Sequence, residues 1–461
     1  MGFGDAEAAA FDAAAAHAKA YRRGVAGRPV VAPRSYAETL ARFAGPVPEA
    51  GSAPVEVVEE LAAKAEGGLL GMTSPHFHGW VIGASHPAGV AADWLASAWG
   101  QMAGFADPTP AAAAVEEVAA GWVLDLLGLP ADAGVGFCTG ATMANFTALA
   151  AARGELLRRA GWDVEAKGLF GAPEVAVVLG GEAHSSVLLS LRLLGFGAER
   201  VVRAEADGEG RMRPDALGRV LDGLEGPAIV CLQAGNVVSG AFDPFAELIP
   251  LARAKGAWVH VDGAFGLWAR AAPGLAALTA GLEEADSWAA DAHKWLQVPY
   301  DCGLAMVKDA GALQRAMSIT ASYLPKGENR APEALSPEMS RRARGFAVWA
   351  VIRALGRQGI AEMVERHCAV ARAIAERLAA EPGLEVLNDI VLNQVALATE
   401  GDALTGRLLQ AVQADGVCYP TGGRWRGREI IRVSVSAGPT TVADGERSAA
   451  AIAAAWARVR G

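Results

Sequence analysis

A lysine directly after a histidine, in Asp291-Ala292-His293-Lys294-Trp295, stands between two short apolar runs, Ser287-Trp288-Ala289-Ala290 and Gly303-Leu304-Ala305-Met306-Val307. That context predicts a turn joining two buried strands, a place where lysine does little for solubility. A partly desolvated ammonium gives up its proton more readily, and the neutral amine attacks an aldehyde to form a Schiff base. The alternative is a lysine at a strand end whose alkyl stem covers apolar surface while its ammonium reaches water.

Three further sites share this setting. In Phe137-Cys138-Thr139-Gly140-Ala141-Thr142-Met143-Ala144-Asn145, small residues lead straight into a helix. Backbone N–H groups around Thr139, Gly140, Ala141 and Thr142, with the Thr142 hydroxyl, suit a phosphate; an ordinary helix cap has the same composition. Neither G-x-G-x-x-G nor a Walker lysine occurs, which disfavours dinucleotides and nucleoside triphosphates. His184 follows a strand ending at Leu179, at the carboxyl edge where α/β sheets bind ligands. Its imidazole suits stacking on a flat heteroaromatic ring, or capping the next helix. Asp262 closes the run Trp258-Val259-His260-Val261, and a buried carboxylate there needs either backbone donors or a cation such as a protonated pyridine. Phosphate loop, ring-stacking histidine, pyridinium partner and amine are together what pyridoxal 5'-phosphate requires, each here at a strand end.

The elements that must position these residues are visible in the hydrophobic periodicity. Continuous apolar runs at 175–179, 228–232 and 258–261 read as strands of a sheet covered on both faces, and the segments 145–160 and 214–224 carry helical spacing. The expectation is an α/β fold built on a mainly parallel sheet over residues 71–320. Before it, residues 1–70 read as short helices (6–23, 35–43, 54–66) that need a neighbour or partner subunit to cover them. After it, residues 321–461 read as a smaller α+β domain with a mobile loop at 324–337. A long helix spans 341–378 with a break near Gly356 and Gly359, strands fall at 384–399 and 430–436, and helices at 403–415 and 441–459.

With 461 residues, 52% hydrophobic, 20% charged and a net charge of −10 without a basic tract, the chain reads as globular, and nucleic acid and membrane are not expected partners. Five scattered cysteines without a C-x-x-C suit free thiols in a reducing cytoplasm. His76, His78 and His86 lack a carboxylate or cysteine set around them, so no metal site is expected. Arg341, Arg342 and Arg344 read as a solvated helix start, or as groups that meet a substrate carboxylate. Trp80 and Val81 read as a wall facing a substrate side chain, or as core filler.

From about Ser35 onward the chain resembles the group II pyridoxal-phosphate decarboxylases, fold-type I enzymes acting on aromatic amino acids, glutamate, histidine and diaminobutyrate. The resemblance lies in Ser74-Pro75-His76-Phe77, Ala91-Ala92-Asp93-Trp94, Ala183-His184-Ser185-Ser186, Gly240-Ala241-Phe242-Asp243-Pro244, His260-Val261-Asp262, His293-Lys294-Trp295, Tyr300-Asp301-Cys302 and Arg432-Val433-Ser434-Val435-Ser436. It implies the PLP-dependent transferase fold, Lys294 as the amine bound to the cofactor, Asp262 at the ring nitrogen and His184 on the ring face. It further implies Ala141, Thr142 and His293 at the phosphate, Ala264 beneath the ring, Asn236 near the cofactor where relatives carry threonine, and Trp80 in the substrate pocket. A homodimer with N-terminal helices wrapped on the partner is implied as well. The expected reaction is decarboxylation of an L-amino acid, with transamination, aldehyde-forming decarboxylation–deamination and carbon–carbon cleavage as alternatives. One departure bears on this: the loop 324–337 has no tyrosine, which in the family protonates the carbanion, so Tyr323, Lys294 and His184 are the candidate donors.

Overall fold

The computed structural model describes residues 4–318 and 332–461. Its centre is a seven-stranded sheet of β1 (Gly134–Cys138), β2 (Ala176–Gly180), β3 (Val201–Ala204), β4 (Ala228–Gln233), β5 (Trp258–Asp262), β6 (Ser287–Asp291) and β7 (Gly303–Val307). Spatial order is β1-β7-β6-β5-β4-β2-β3. The pairs from β3 through β6 are parallel, and β7 runs antiparallel to both of its neighbours. The runs at β1, β5, β6 and β7 are buried at every position, as required of strands covered on both faces.

The antiparallel β7 decides where the chemistry sits. A chain leaving the carboxyl end of β6 re-enters the sheet at the same edge, so the 11 residues between the strands form a return rather than a crossover. Register pairs Gly303 with both Cys138 and Asp291. A Cβ on Gly303 would lie 2.4 Å from the Gly140 carbonyl carbon, so glycine is required for the two loops to meet.

A second, antiparallel sheet has the order β10-β11-β9-β8, with β8 (Glu385–Val386), β9 (Gln394–Ala398), β10 (Thr421–Trp425) and β11 (Arg428–Ser434). The expected strand 384–399 is therefore two short strands. Asn388 holds the turn between them: its carbonyl accepts the Ala396 N–H at 2.8 Å and its amide donates to Ser239 O and Gln394 O. The long helix Gly345–Ala379 breaks at Gly356, where φ is 63° and ψ 175°, a conformation cheap only for glycine. Helices Asp5–Gly24, Tyr36–Phe43 and Pro54–Ala65 match the expected spans closely, and Ser35 caps the second through a reciprocal bond with Glu38. The second and third bury no residue, and Phe11, Tyr36, Leu40, Phe43, Val57 and Leu61 stand exposed.

Candidate active site

Asp291, the last residue of β6, is the hub of the site. Its Oδ1 accepts the Ala141 N–H at 2.5 Å, and its Oδ2 lies 3.0 Å from Lys294 Nζ and 3.6 Å from His293 Nε2. Its own backbone is fixed on both sides, the N–H donating to Ala264 O and the carbonyl accepting the Trp268 indole N–H at 2.9 Å. The lysine ammonium is thus drawn inward, against the reading of a solvated strand end; its side chain is 19% exposed. Trp295, fully buried, pins the next residue by donating its indole N–H to His367 Nδ1 at 2.8 Å and lying parallel to that ring.

His293 Nδ1 accepts the Cys302 N–H at 3.2 Å, which leaves the ring proton on Nε2, toward Asp291. Its ring packs 4.3 Å from that of Tyr300. Burial pushes the Tyr300 phenol up to about 12 and holds the His293 imidazole below its ordinary value.

Lys294 opens into a cavity of about 380 Å³, counting its mouth, shared with Asp262, His184, Ala264, Trp80 and Val81. Asp262 is buried and accepts one bond, from the Ala264 N–H at 3.2 Å. Burial raises its carboxyl, opposed by the positive neighbours His184 and Lys294. Burial lowers the His184 imidazole, with Asp262 acting the other way. His184 caps helix Ser185–Leu193 by accepting the Ser186 N–H at 3.2 Å, and it also lines the cavity. Trp80 is half exposed and sits against Phe77 and Tyr419, whose rings stack at 5.5 Å; Trp80 and Val81 both have positive φ.

The loop after β1 leads into helix Ala141–Arg159. The Ala141 N–H is taken by Asp291, whereas helix geometry leaves those of Thr142 and Met143 without an intrahelical acceptor. Thr139 is exposed and Gly140 lies against His293, its added Cβ falling 3.2 Å from that ring. Asn236 is committed to a turn: its carbonyl accepts the Val238 and Ser239 N–H groups and its amide reaches Glu182 at 3.4 Å. Tyr323 and residues 324–331 lie outside the described residues.

Of the arginine run, Arg341 and Arg344 are buried and Arg342 is exposed. Arg341 forms a fully buried bidentate pair with Glu116, Arg342 pairs with Asp93, and Arg344 with Asp301. His76, His78 and His86 likewise have separate partners in Asp444, Ser448 and the Ala88 N–H. Two residues escaped the sequence reading. Asp291 looks like a strand cap until the fold brings Ala141 to it. Arg432 sits on β11, donates to Val237 O at 2.9 Å beside the cavity, and pairs with no carboxylate among the described residues. Its Nε is buried without a partner, and burial lowers its guanidinium, which is costly unless an anion arrives.

An amine, a buried carboxylate and an imidazole lining one cavity, with a helix N-terminus near Lys294, are the kinds of groups that pyridoxal phosphate requires. Comparison with known proteins identifies the family. Residues 45–399 match the pyridoxal-dependent decarboxylase conserved domain. An aromatic-L-amino-acid decarboxylase of Bacillus atrophaeus is 28% identical over 358 residues, 76% of this chain and 72% of that protein. A phenylacetaldehyde synthase of Arabidopsis thaliana is 27% identical, covering 83% and 82%. The Oryza sativa TDC structure with PLP and tryptamine superimposes with a TM-score of 0.92 over 100% of this chain and 99% of that one, at 22% identity.

Proposed function

The chain belongs to the pyridoxal-dependent decarboxylase family, whose cofactor is pyridoxal phosphate, and from that premise we propose that it removes the carboxylate of an L-amino acid and releases the amine. The observation that carries this reading is the convergence of Lys294, Asp262 and His184 on one cavity at the carboxyl edge of the sheet. Bound pyridoxal phosphate supplies an aldehyde for an amine and a ring that takes up the electron pair of a bond broken at Cα.

The chain's own residues divide the remaining work. Lys294 is the amine that holds the cofactor, and Asp291 matches its charge beforehand at 3.0 Å. Asp262 faces the cavity as the carboxylate that keeps a proton on the ring nitrogen. His184 and Ala264, which line the same cavity, would lie against the ring. The N–H groups of Thr142 and Met143, the Thr142 hydroxyl and His293 Nε2 meet the phosphate. Arg432 receives a substrate carboxylate, and Trp80 and Val81 bound the side chain of the amino acid. Lys294 Nζ and His184 are the groups placed to return a proton to Cα.

A second reading, decarboxylation coupled to oxidative deamination, with O2 as oxidant and aldehyde, CO2, ammonia and hydrogen peroxide as products, is favoured by the absence of tyrosine from 324–337. Incubating loaded enzyme with an amino acid panel separates the two: amine and CO2 support simple decarboxylation, whereas aldehyde, ammonia and hydrogen peroxide overturn it. We also propose a homodimer, on the exposed apolar residues of the N-terminal helices and of Pro87–Trp99, where Trp94, Leu95 and Trp99 face outward. We propose a reducing cytoplasm as its location, a reading supported by five buried cysteines that are all free.

A further inference from the structure

Three residues beyond Lys294, Gln297 is 1% exposed and holds φ at 64°, a conformation costing a non-glycine residue roughly 1 kcal/mol. Strain retained at a buried polar residue calls for a structural cause. Its amide supplies one. The side-chain Nε2 donates to Trp295 O at 3.0 Å and Ser436 O at 2.8 Å, with Lys294 O at 3.3 Å sharing a proton. Oε1 accepts the N–H groups of Ala84 at 2.7 Å and Gly438 at 2.8 Å. Every donor and acceptor of the amide is used, and each is aimed at backbone. Three separate segments meet on this one group: the lysine turn, the wall that begins at Trp80, and the segment that leaves β11 at Ser436 and Gly438.

The joint has no slack. The Gly83 N–H donates to His293 O, and a Cβ at Gly83 would fall 2.3 Å from Lys294 O; at Gly438 it would fall 3.0 Å from Gln297 Oε1. The Gln297 carbonyl also accepts the His86 N–H at 2.7 Å. We infer that Gln297 is a positioning residue, its amide setting the Lys294 turn against the Trp80–Val81 wall so that amine and substrate pocket are held in register by one side chain. This rests on Lys294 being the amine that holds the cofactor.

The consequence is specific. Gln297→Leu keeps the volume but strands two N–H groups and two carbonyls, and lets the lysine turn shift against the wall. A displacement near 1 Å at a reacting group costs about 100-fold in rate, so kcat/KM is expected to fall about 10- to 100-fold. The pH midpoint of the visible absorption band of the loaded protein is expected to move as well. Thr440→Val is the control: it removes another buried tie between the same C-terminal segment and residue 75, Thr440 Oγ1 to Pro75 O at 2.8 Å, without touching the lysine turn. It is expected to lower the thermal midpoint while leaving the band in place. Where Gln297→Leu does not fold, Gln297→Asn, one methylene too short to reach all three segments, gives the same two readouts. The inference is overturned if a folded Gln297 variant keeps band and kcat/KM within twofold of wild type, or if Thr440→Val moves the band equally. Borohydride trapping on the wild type comes first: an adduct on Lys294 supports the underlying assignment, and its absence overturns that assignment directly, whatever Gln297 does.

Discussion

Three histidines, His78, His260 and His367, are wholly buried, and acidification should unfold the protein through them. His260 shows why. Its Nε2–H donates to Asn145 Oδ1 at 2.8 Å, and its Nδ1 faces Ser287 Oγ at 2.9 Å, while that oxygen also accepts the Trp258 indole N–H at 2.9 Å. The serine proton therefore points at Nδ1 of the neutral ring, and a second ring proton is accepted only if the serine hydroxyl turns away, in a buried site closed to solvent. Burial lowers the imidazoles of His260 and His367 to about 3 and that of His78 to about 4. A depressed folded value means that the stabilisation is complete above the unfolded value of about 6.5 and is lost as pH falls toward the folded value. Between pH 7 and 5 each histidine costs about 2 kcal/mol, so the three cost about 6 kcal/mol. Asp243, raised by burial to about 6, acts in the opposite sense and offsets about 1 kcal/mol over the same interval. The net loss of about 5 kcal/mol is comparable with the whole stability of many domains. Urea unfolding of the loaded protein at pH 7, 6 and 5, followed by tryptophan fluorescence, measures it. His260→Gln removes one titrating group, and the pH 7 to 5 loss should shrink by about 2 kcal/mol. An unchanged loss in a folded His260→Gln protein would refute the reasoning.

Arg432→Met keeps the length of the side chain and removes the charge beside Val237; KM for the amino acid should rise about 10-fold or more, with cofactor absorbance unchanged, as steady-state kinetics will show. Sedimentation should give about twice the chain mass, and glutamate substitutions at Leu40 and Leu61, both exposed here, should shift it toward the monomer.

The sheet and its site were readable where burial on both faces forces an unbroken apolar run, as at 228–232, 258–261 and 287–290. Strand β3, four residues at the sheet edge, and β10, reading Thr-Gly-Gly-Arg-Trp, carry no such signal because an edge or glycine-rich strand is specified by its partner. Strand β10 is instead fixed by its turn, Arg426 and Gly427 both at positive φ, and by the Trp425 indole bond to Glu182. Lys294, His184 and Asp262 stand out in the sequence because each ends or follows an apolar run. Asp291, Gln297 and Arg432 do not, since their meaning lies in groups 139 to 195 residues away in the chain. The arginines at 341–344 misled for the same reason: their carboxylates belong to helices far upstream and to the lysine loop.

The inserted antiparallel strand β7 has a mechanical corollary. Glycine against glycine at 303 and 140, with the Asp291 carboxylate clasping the adjacent amide, fuses the Lys294 turn and the start of helix Ala141–Arg159 into a single unyielding jaw. Whatever breathing admits an amino acid must therefore leave this jaw in one piece, together with the Trp80–Val81 wall that the Gln297 amide ties to it.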